Sequence, residues 1–278
     1  MTVDIARAPV ARLGIEDLAA CLDLAADRQW PRERRKWSFL LTMGEAYGLR
    51  DEHDLAGSVV LSRFGPRLAW VGMMLVAQRW NRRGLGRALM RHAMDHAGAG
   101  TIALYATESG RPLYEALGLR VAGTVSTHRG RFLGAGSRTG LTRPFTPADL
   151  AAVQRLDAEV TGADRRRLLT GYLRFAGQVR VVTEGGAITG YAGSWRDGET
   201  VVIGPVIAAR LADAKVLVTD IASTVDGPVR LDTGHPYLAA WAVAEGLARQ
   251  FEVTTMVHGR DLPGDRSRLF TPLMQALG

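Results

Sequence analysis

The feature that most constrains this chain is a junction. Residues Leu68-Ala69-Trp70-Val71-Gly72-Met73-Met74-Leu75-Val76 are almost wholly apolar, and a glycine-bearing stretch from Asn81 to Arg87 follows them into a helical pattern. The apolar run is too short to span a membrane. Apolar on both faces, it reads as a strand covered on both sides. Beyond the glycines, Arg87 to Ala97 places Leu89, Ala93 and Ala97 on one helical stripe with Met90 and Met94 beside it, and Gly98-Ala99-Gly100 stops the helix. Thr101 to Ala106 is a second buried strand. Strand, glycine loop, helix and strand in this order predict a sheet with helices packed on it.

The remaining pattern extends that frame in both directions. Helices are expected over Ile15 to Leu24 and Arg32 to Leu41, then a hairpin of strands Glu45–Leu49 and Ala56–Ser62 around the polar turn at residues 50–54, which holds His53. A short helix over Arg111 to Leu117 ends at Gly118, and Val121 to His128 reads as a strand. Gly134 to Gly140 is small, polar and aperiodic, so it reads as a linker. The order then restarts. Helices are expected after Thr146-Pro147-Ala148-Asp149, over Arg165–Phe175, Ala212–Ala222 and Pro236–Arg249, and strands over Val179–Thr183, Ala187–Trp195, Thr200–Ile207, Val229–Asp232 and Glu252–Val257. The repetition predicts two related domains, residues 1–138 and 139–278.

Composition narrows the function classes. No run of about 18 apolar residues is present, so no membrane association is expected. The segment Met1 to Ala6 lacks the pattern of a secretion signal, and Cys21 is the sole cysteine, which fits a reducing, cytoplasmic setting and excludes internal disulfides and cysteine-cluster metal sites. The net charge is +7, yet Lys36 and Lys215 are the only lysines, and the densest runs, Arg32–Lys36 and Asp164–Arg167, carry acidic neighbours at helical spacing. They read as solvated helix faces. A nucleic-acid partner, which would need a basic stripe with interleaved aromatics, ranks last.

The glycine loop carries the chemistry. A helix N-terminus offers unpaired amides and the positive end of a dipole, Gly84 and Gly86 let an anion approach the main chain, and Arg82, Arg83 and Arg87 add charge. The loop is not a P-loop, because no Gly-Lys-Ser/Thr follows, and Leu89 stands where a dinucleotide fingerprint needs glycine. The segments Val76-Ala77-Gln78-Arg79-Trp80-Asn81-Arg82-Arg83-Gly84-Leu85-Gly86 and Leu113-Tyr114-Glu115-Ala116-Leu117-Gly118-Leu119 together resemble the GNAT superfamily of N-acetyltransferases. Its signature is a strand, [QR]-x-x-G-x-[GA], a helix, a strand and a helix bearing L-Y-x-x-L-G-F. Asn81 and Leu119 depart from it.

The resemblance is to bacterial tandem forms. It implies an α/β (α+β) fold of two GNAT-like domains, each a mixed, largely antiparallel sheet flanked by helices, the second lacking a glycine loop. It further implies acetyl-CoA as co-substrate, no metal, and acetyl transfer to a small primary amine by direct attack. Under it, Leu75, Val76, Ala77, Asn81, Arg82, Arg83, Gly84, Leu85, Gly86, Arg87, Thr107 and Tyr114 hold the cofactor. Tyr114 protonates the departing thiolate. Glu45, Glu108 and Asp232 are the candidate bases, and Trp30, Tyr47, Met73 and Thr107 line the acceptor pocket near Tyr191, Trp195, Asp232 and His235. Cys21, on a buried helix without a histidine beside it, is not expected to form a covalent intermediate. A CoA-responsive sensor without turnover is the alternative, and an oligomer is compatible with either.

Overall fold

The computed structural model describes residues 8–52, 54–134 and 140–278, so His53 and most of the expected linker lie outside the described residues. In chain order the first half runs β1 (Ala11–Leu13), α1 (Leu18–Asp27), α2 (Arg34–Met43), β2 (Glu45–Arg50), β3 (Leu55–Phe64), β4 (Leu68–Val76), α3 (Leu85–His96), β5 (Thr101–Ala106), α4 (Arg111–Glu115) and β6 (Arg120–Gly130). The second runs β7 (Thr142–Pro144), α5 (Leu150–Thr161), α6 (Arg166–Phe175), β8 (Gln178–Glu184), β9 (Ala187–Asp197), β10 (Thr200–Ala208), α7 (Leu211–Ala222), β11 (Val229–Thr233), α8 (Pro236–Ala244), β12 (Ala248–Gly259) and β13 (Leu269–Thr271). The second list repeats the first and adds one short strand.

All the strands join one sheet, in the order β1-β2-β3-β4-β5-β12-β6-β11-β10-β9-β8-β7, with β13 pairing β10. The order is symmetric about the β12–β6 pair. The halves have therefore exchanged their last long strands: β12 lies antiparallel against β5 of the first half, and β6 against β11 of the second. Among the described strands only β4–β5 and β10–β11 are parallel, so the sheet is mixed and largely antiparallel, as expected.

Helices cover both faces. On one face α3 packs Leu85, Leu89, Met90 and Ala93 against β2 to β5, and α7 and α8 do the same for β10 and β11 with Leu217, Val218, Ile221 and Leu238. On the other face α1, α2, α5 and α6 share a single apolar cluster with the chain's last residues, Leu273, Met274 and Leu277. Phe39 of α2 stacks on Phe175 of α6 at 4.6 Å, so the two halves share a core there. Fully burying one such large side chain contributes about 1.5–3 kcal/mol.

Several expectations need correction. The helix expected over Pro236–Arg249 ends at Ala244, because Gly246 takes φ +90° and the Leu247 amide bonds back to Ala242 O at 2.9 Å, a left-handed cap. The freed residues lengthen β12. The first-half helix ends in the same way at Gly118, φ +83°, with the Leu119 amide on Tyr114 O at 3.0 Å. Nor are the two charge runs solvated faces throughout. Arg165 is 3% exposed, forks onto Asp157 with contacts of 3.0 and 2.6 Å, and donates to Gly278 O at 2.8 Å, while the Tyr191 hydroxyl donates to Asp157 at 2.5 Å. Lys36 is half-buried and ion-paired with Glu33.

Candidate active site

The glycine loop presents main-chain amides at a helix start. Gly84 is the N-cap of α3 with φ +85°, a left-handed conformation that a side chain would strain, and no side chain caps the helix. The first amide of α3 to find a helical partner is that of Ala88, on Gly84 O at 3.0 Å. The amides of Leu85, Gly86 and Arg87 precede it and carry the positive end of the helix dipole. Asn81, Arg82, Arg83 and Arg87 are exposed around them. Among the described residues none of these arginines is ion-paired, and Arg83 lies over the Trp80 ring at 5.0 Å. Asn81, where the resembled pattern has Gln or Arg, accepts from Arg28 at 3.4 Å.

The loop is fed by a strand that leaves its neighbour. Pairing of β4 with β5 runs from Leu68↔Thr101 to Val71↔Leu104 and then stops, opening a wedge toward the C-terminal ends of both strands. A β-bulge marks the opening. The β3–β4 register shifts between Ser58 and Val60, Met73 takes φ +50°, and the Ser58 hydroxyl holds the Met73 carbonyl at 3.0 Å. The Ala77 amide donates to Ala56 O at 2.9 Å, so Ala77 faces β3. By strand alternation Leu75 faces β3 as well, which leaves the main chain of Val76 and Met74 toward the wedge. Of Leu75, Val76 and Ala77, Val76 is thus the one with backbone groups to offer a ligand, and Met74 was not foreseen.

At the mouth of the wedge lies a cavity of about 470 Å³, walled by both halves. From the first half come Trp30, Met73, Met74, Tyr105, Thr107 and Tyr114. Across from them stand Trp195 and Asp197 of β9, Arg230 and Asp232 of β11, Phe251 of β12, and Gln275 near the chain's end. Of the residues singled out from sequence, the fold gathers Trp30, Met73, Thr107, Tyr114, Trp195 and Asp232 here. It takes Tyr47 and Glu45 elsewhere. Both are on β2, where the Tyr47 hydroxyl donates to Glu45 at 2.9 Å and Arg63 and Arg12 bind the same carboxylate at 2.7 and 3.2 Å. Tyr47 also packs edge-on against His92 at 4.6 Å, on the α3 face. Burial pushes the Glu45 carboxyl up, but the hydrogen bonds from Tyr47 and Arg63 outweigh it and hold the group below its ordinary value. Neither residue lines the cavity, and Glu108, Tyr191 and His235 do not line it either.

Burial pushes the Tyr114 hydroxyl up to about 12, so it stays protonated through the physiological range. Thr107, which bonds the Gly110 amide at 3.3 Å, sits beside it at the end of β5. Asp232 is firmly tied: Arg230 forks onto both its oxygens at 2.9 Å, Thr127 donates at 2.6 Å, and Gln275 in turn donates to Thr127 at 3.1 Å. Burial lowers Lys36 to about 8, while Asp197 and Asp232 pull it the other way. Burial, with Asp17 adding to it, pushes the Cys21 thiol up to about 12, which suits no thiolate nucleophile. Glu33, Lys36, Asp197, Arg230 and Gln275 were missed from sequence. The Glu33–Lys36 spacing of one helical turn was the only available signal.

The second half holds no equal of this site. Only Ala209 and Arg210 connect β10 to α7, and Asp213 in the first turn of that helix binds Arg210 at 3.0 Å, placing a carboxylate where the first half presents bare amides. Beside β10, at Val206 and Ile207, β13 fills the gap that in the first half is the open wedge. Ala242 stands at the position that Tyr114 holds before the equivalent glycine cap. A more open groove of about 590 Å³, bordered by Phe64, Arg67 and α5, lies at the opposite end of β4 from the loop. Among the described residues, no cluster of three or more His, Cys, Asp or Glu is placed to hold a metal, and no helix is long and apolar enough to cross a membrane.

Comparison with known proteins finds a match in each half. Residues 14–119 match the model of the acetyltransferase (GNAT) family, and residues 153–271 match that of an acetyltransferase (GNAT) domain. The uncharacterized N-acetyltransferase YitH of Bacillus subtilis is 26% identical over 276 residues, 96% of this chain and 97% of its own length. Among solved structures, a putative acetyltransferase from Pyrococcus horikoshii superposes with a TM-score of 0.84 at 18% identity, covering 97% of this chain and 95% of that one. A tandem GNAT protein from the clavulanic acid biosynthesis pathway gives 0.64 at 16% identity over 90% of this chain and 98% of its own. At these identities the two structures establish the fold alone.

Proposed function

The chain belongs to the GNAT family, with one such domain in each half and N-acetyltransferase as its activity, and from that premise we propose that it transfers an acetyl group from acetyl-CoA to a small primary amine. The observation that carries the reading is the uncapped N-terminus of α3, whose amides at Leu85, Gly86 and Arg87 open beside a strand wedge among three arginines that have no ion pair among the described residues. The diphosphate would rest on these amides, with Arg82, Arg83 and Arg87 meeting its charge. Val76 and Met74 offer main-chain groups to the pantetheine arm. Acetyl-CoA, when bound, supplies an activated thioester.

The chain's own residues do the rest. The bulge at Met73 and the end of β5 at Thr107 would hold the thioester at the cavity mouth, facing an amine inside it. Asp232 is the sequence-nominated carboxylate that lines this cavity, and it takes the amine's proton, directly or through water. Direct attack of the amine on the thioester follows, Tyr114 gives its proton to the sulfur as the carbon–sulfur bond breaks, and the tyrosinate recovers a proton from the nitrogen as it becomes the amide. A phenol held protonated by burial suits that step. The second half contributes acceptor walls and no second cofactor site.

The test is thiol release from acetyl-CoA, followed with a thiol reagent, in the presence of a panel of amines. Release that depends on amine and saturates in both substrates is expected. Tight CoA binding with no release across the panel would leave a sensor without turnover and overturn the reading.

A further inference from the structure

The charges lining the acceptor cavity are unequal in their commitments. Lys36 is ion-paired with Glu33, and Arg230 forks onto Asp232 while lying over the Phe251 ring at 5.8 Å. Both cations are spoken for. Asp197, at the end of β9, lines the same cavity and is half-buried; its charge acts on the Lys36 ammonium, but among the described residues it has no ion pair within contact distance and no side-chain hydrogen bond. The cavity thus carries one carboxylate in excess. The other walls are aromatic or thioether surfaces, Trp30, Tyr105, Phe251, Met73 and Met274, over which an organic cation is favourably placed.

We infer that the acceptor is a dicationic amine, a diamine or polyamine, whose reacting nitrogen lies at the thioester while its remote ammonium pairs with Asp197. The inference rests on the transferase reading and refines it. The reacting amine must be neutral to attack, so it cannot itself balance Asp197, and a second positive group is needed to do so. An amino acid would bring a carboxylate for which both cavity cations are already engaged. A plain alkylamine would leave Asp197 facing an apolar chain. In a diamine the reacting ammonium gives one proton to the cavity carboxylate and, on becoming the amide, a second to the tyrosinate left when Tyr114 protonates the sulfur; CoA leaves as the thiol and the remote nitrogen stays protonated, so charge and atoms balance.

The experiment compares kcat/KM for α,ω-diamines of three to eight carbons with n-alkylamines of equal length, at saturating acetyl-CoA. At the best length the diamine should exceed the monoamine by about tenfold, as a partly solvated charge pair warrants. Asp197→Asn should bring that ratio close to one, through the KM of the diamine rather than kcat. Calorimetry of 1,6-diaminohexane binding to the CoA-loaded protein should weaken in parallel. A ratio near one at every length, or a preference that survives Asp197→Asn, overturns the inference and leaves the transferase standing if n-alkylamines turn over. If no amine is acetylated and no acetyl-CoA binds, both readings fall.

Discussion

Replacing Gly86 with glutamate separates cofactor binding from folding. Gly86 is half-buried in the first turn of α3, and a Cβ there would lie 3.2 Å from Leu113 Cδ2 and 3.6 Å from Val76 Cγ2, so a small side chain fits with slight adjustment. Glutamate adds a carboxylate beside the proposed diphosphate seat. With two phosphate charges ~6 Å away and an effective dielectric of ~40, between a surface pair and bulk water, each repulsion is about 1.4 kcal/mol. Together they come to about 3 kcal/mol, or roughly a hundredfold in Kd. The same carboxylate at a helix N-terminus stabilises the helix by about 0.3–1 kcal/mol. Gly86→Glu should therefore lose acetyl-CoA binding by calorimetry while its melting temperature holds or rises. Gly86→Ala changes no charge and should keep Kd within about threefold, ~0.6 kcal/mol. Unaltered binding by Gly86→Glu would refute the loop assignment, and equal loss in both variants would refute the electrostatic argument for it.

Other consequences follow from the same structure. Tyr114→Phe removes the proton donor but keeps the ring, so kcat should fall by about 10²–10⁴ with acetyl-CoA affinity held, as steady-state kinetics and calorimetry would register. Arg165→Met strands the buried Asp157, which costs about 3–5 kcal/mol. A thermal melt should show a drop on the order of 10 °C. Asp149 receives two bonds from Arg143 at 2.7 Å and one from the Thr146 amide at 2.7 Å, and the Arg143 contact above all holds its carboxyl well below the ordinary 3.8. Its stabilisation is complete above pH 4 and is lost as pH falls further. Asp149→Asn should cost about 1 kcal/mol at neutral pH. Acid titrations of the two proteins should converge below that range.

The sequence made the loop legible because local chemistry writes it. Glycines at the turn, arginines around them and a clean helical stripe through Leu89 and Ala93 all lie within one short window. Strand exchange has no such signature. A run such as Val253 to Val257 reads as buried strand whichever neighbour it pairs with, so nothing local assigns β12 to the first half. The short strands β1, β7 and β13 span three residues each, too few for periodicity to register. Glu33, Lys36 and Arg165 were hidden by a sound rule, that mixed charge runs are solvated. The rule fails here because Arg165 is enclosed by Asp157 of α5, Tyr191 of β9 and Gly278, while Glu33 and Lys36 face a cavity that the second half helps to wall, and both are facts of the tertiary fold. Asp197 was equally invisible, a turn-edge carboxylate like any other until β9 brings it to the cavity. Helix α8 was overextended because the left-handed cap at Gly246 was overlooked, although the same device at Gly118 was read.

One half alone is proposed to cradle the coenzyme. Isothermal titration of the full chain with acetyl-CoA measures this directly, because the first half offers bare amides at α3 while in the second Asp213 and β13 fill the equivalent places. One molecule bound per chain is the predicted stoichiometry. Two would show that the second half binds as well, and none would remove the basis for the transferase altogether.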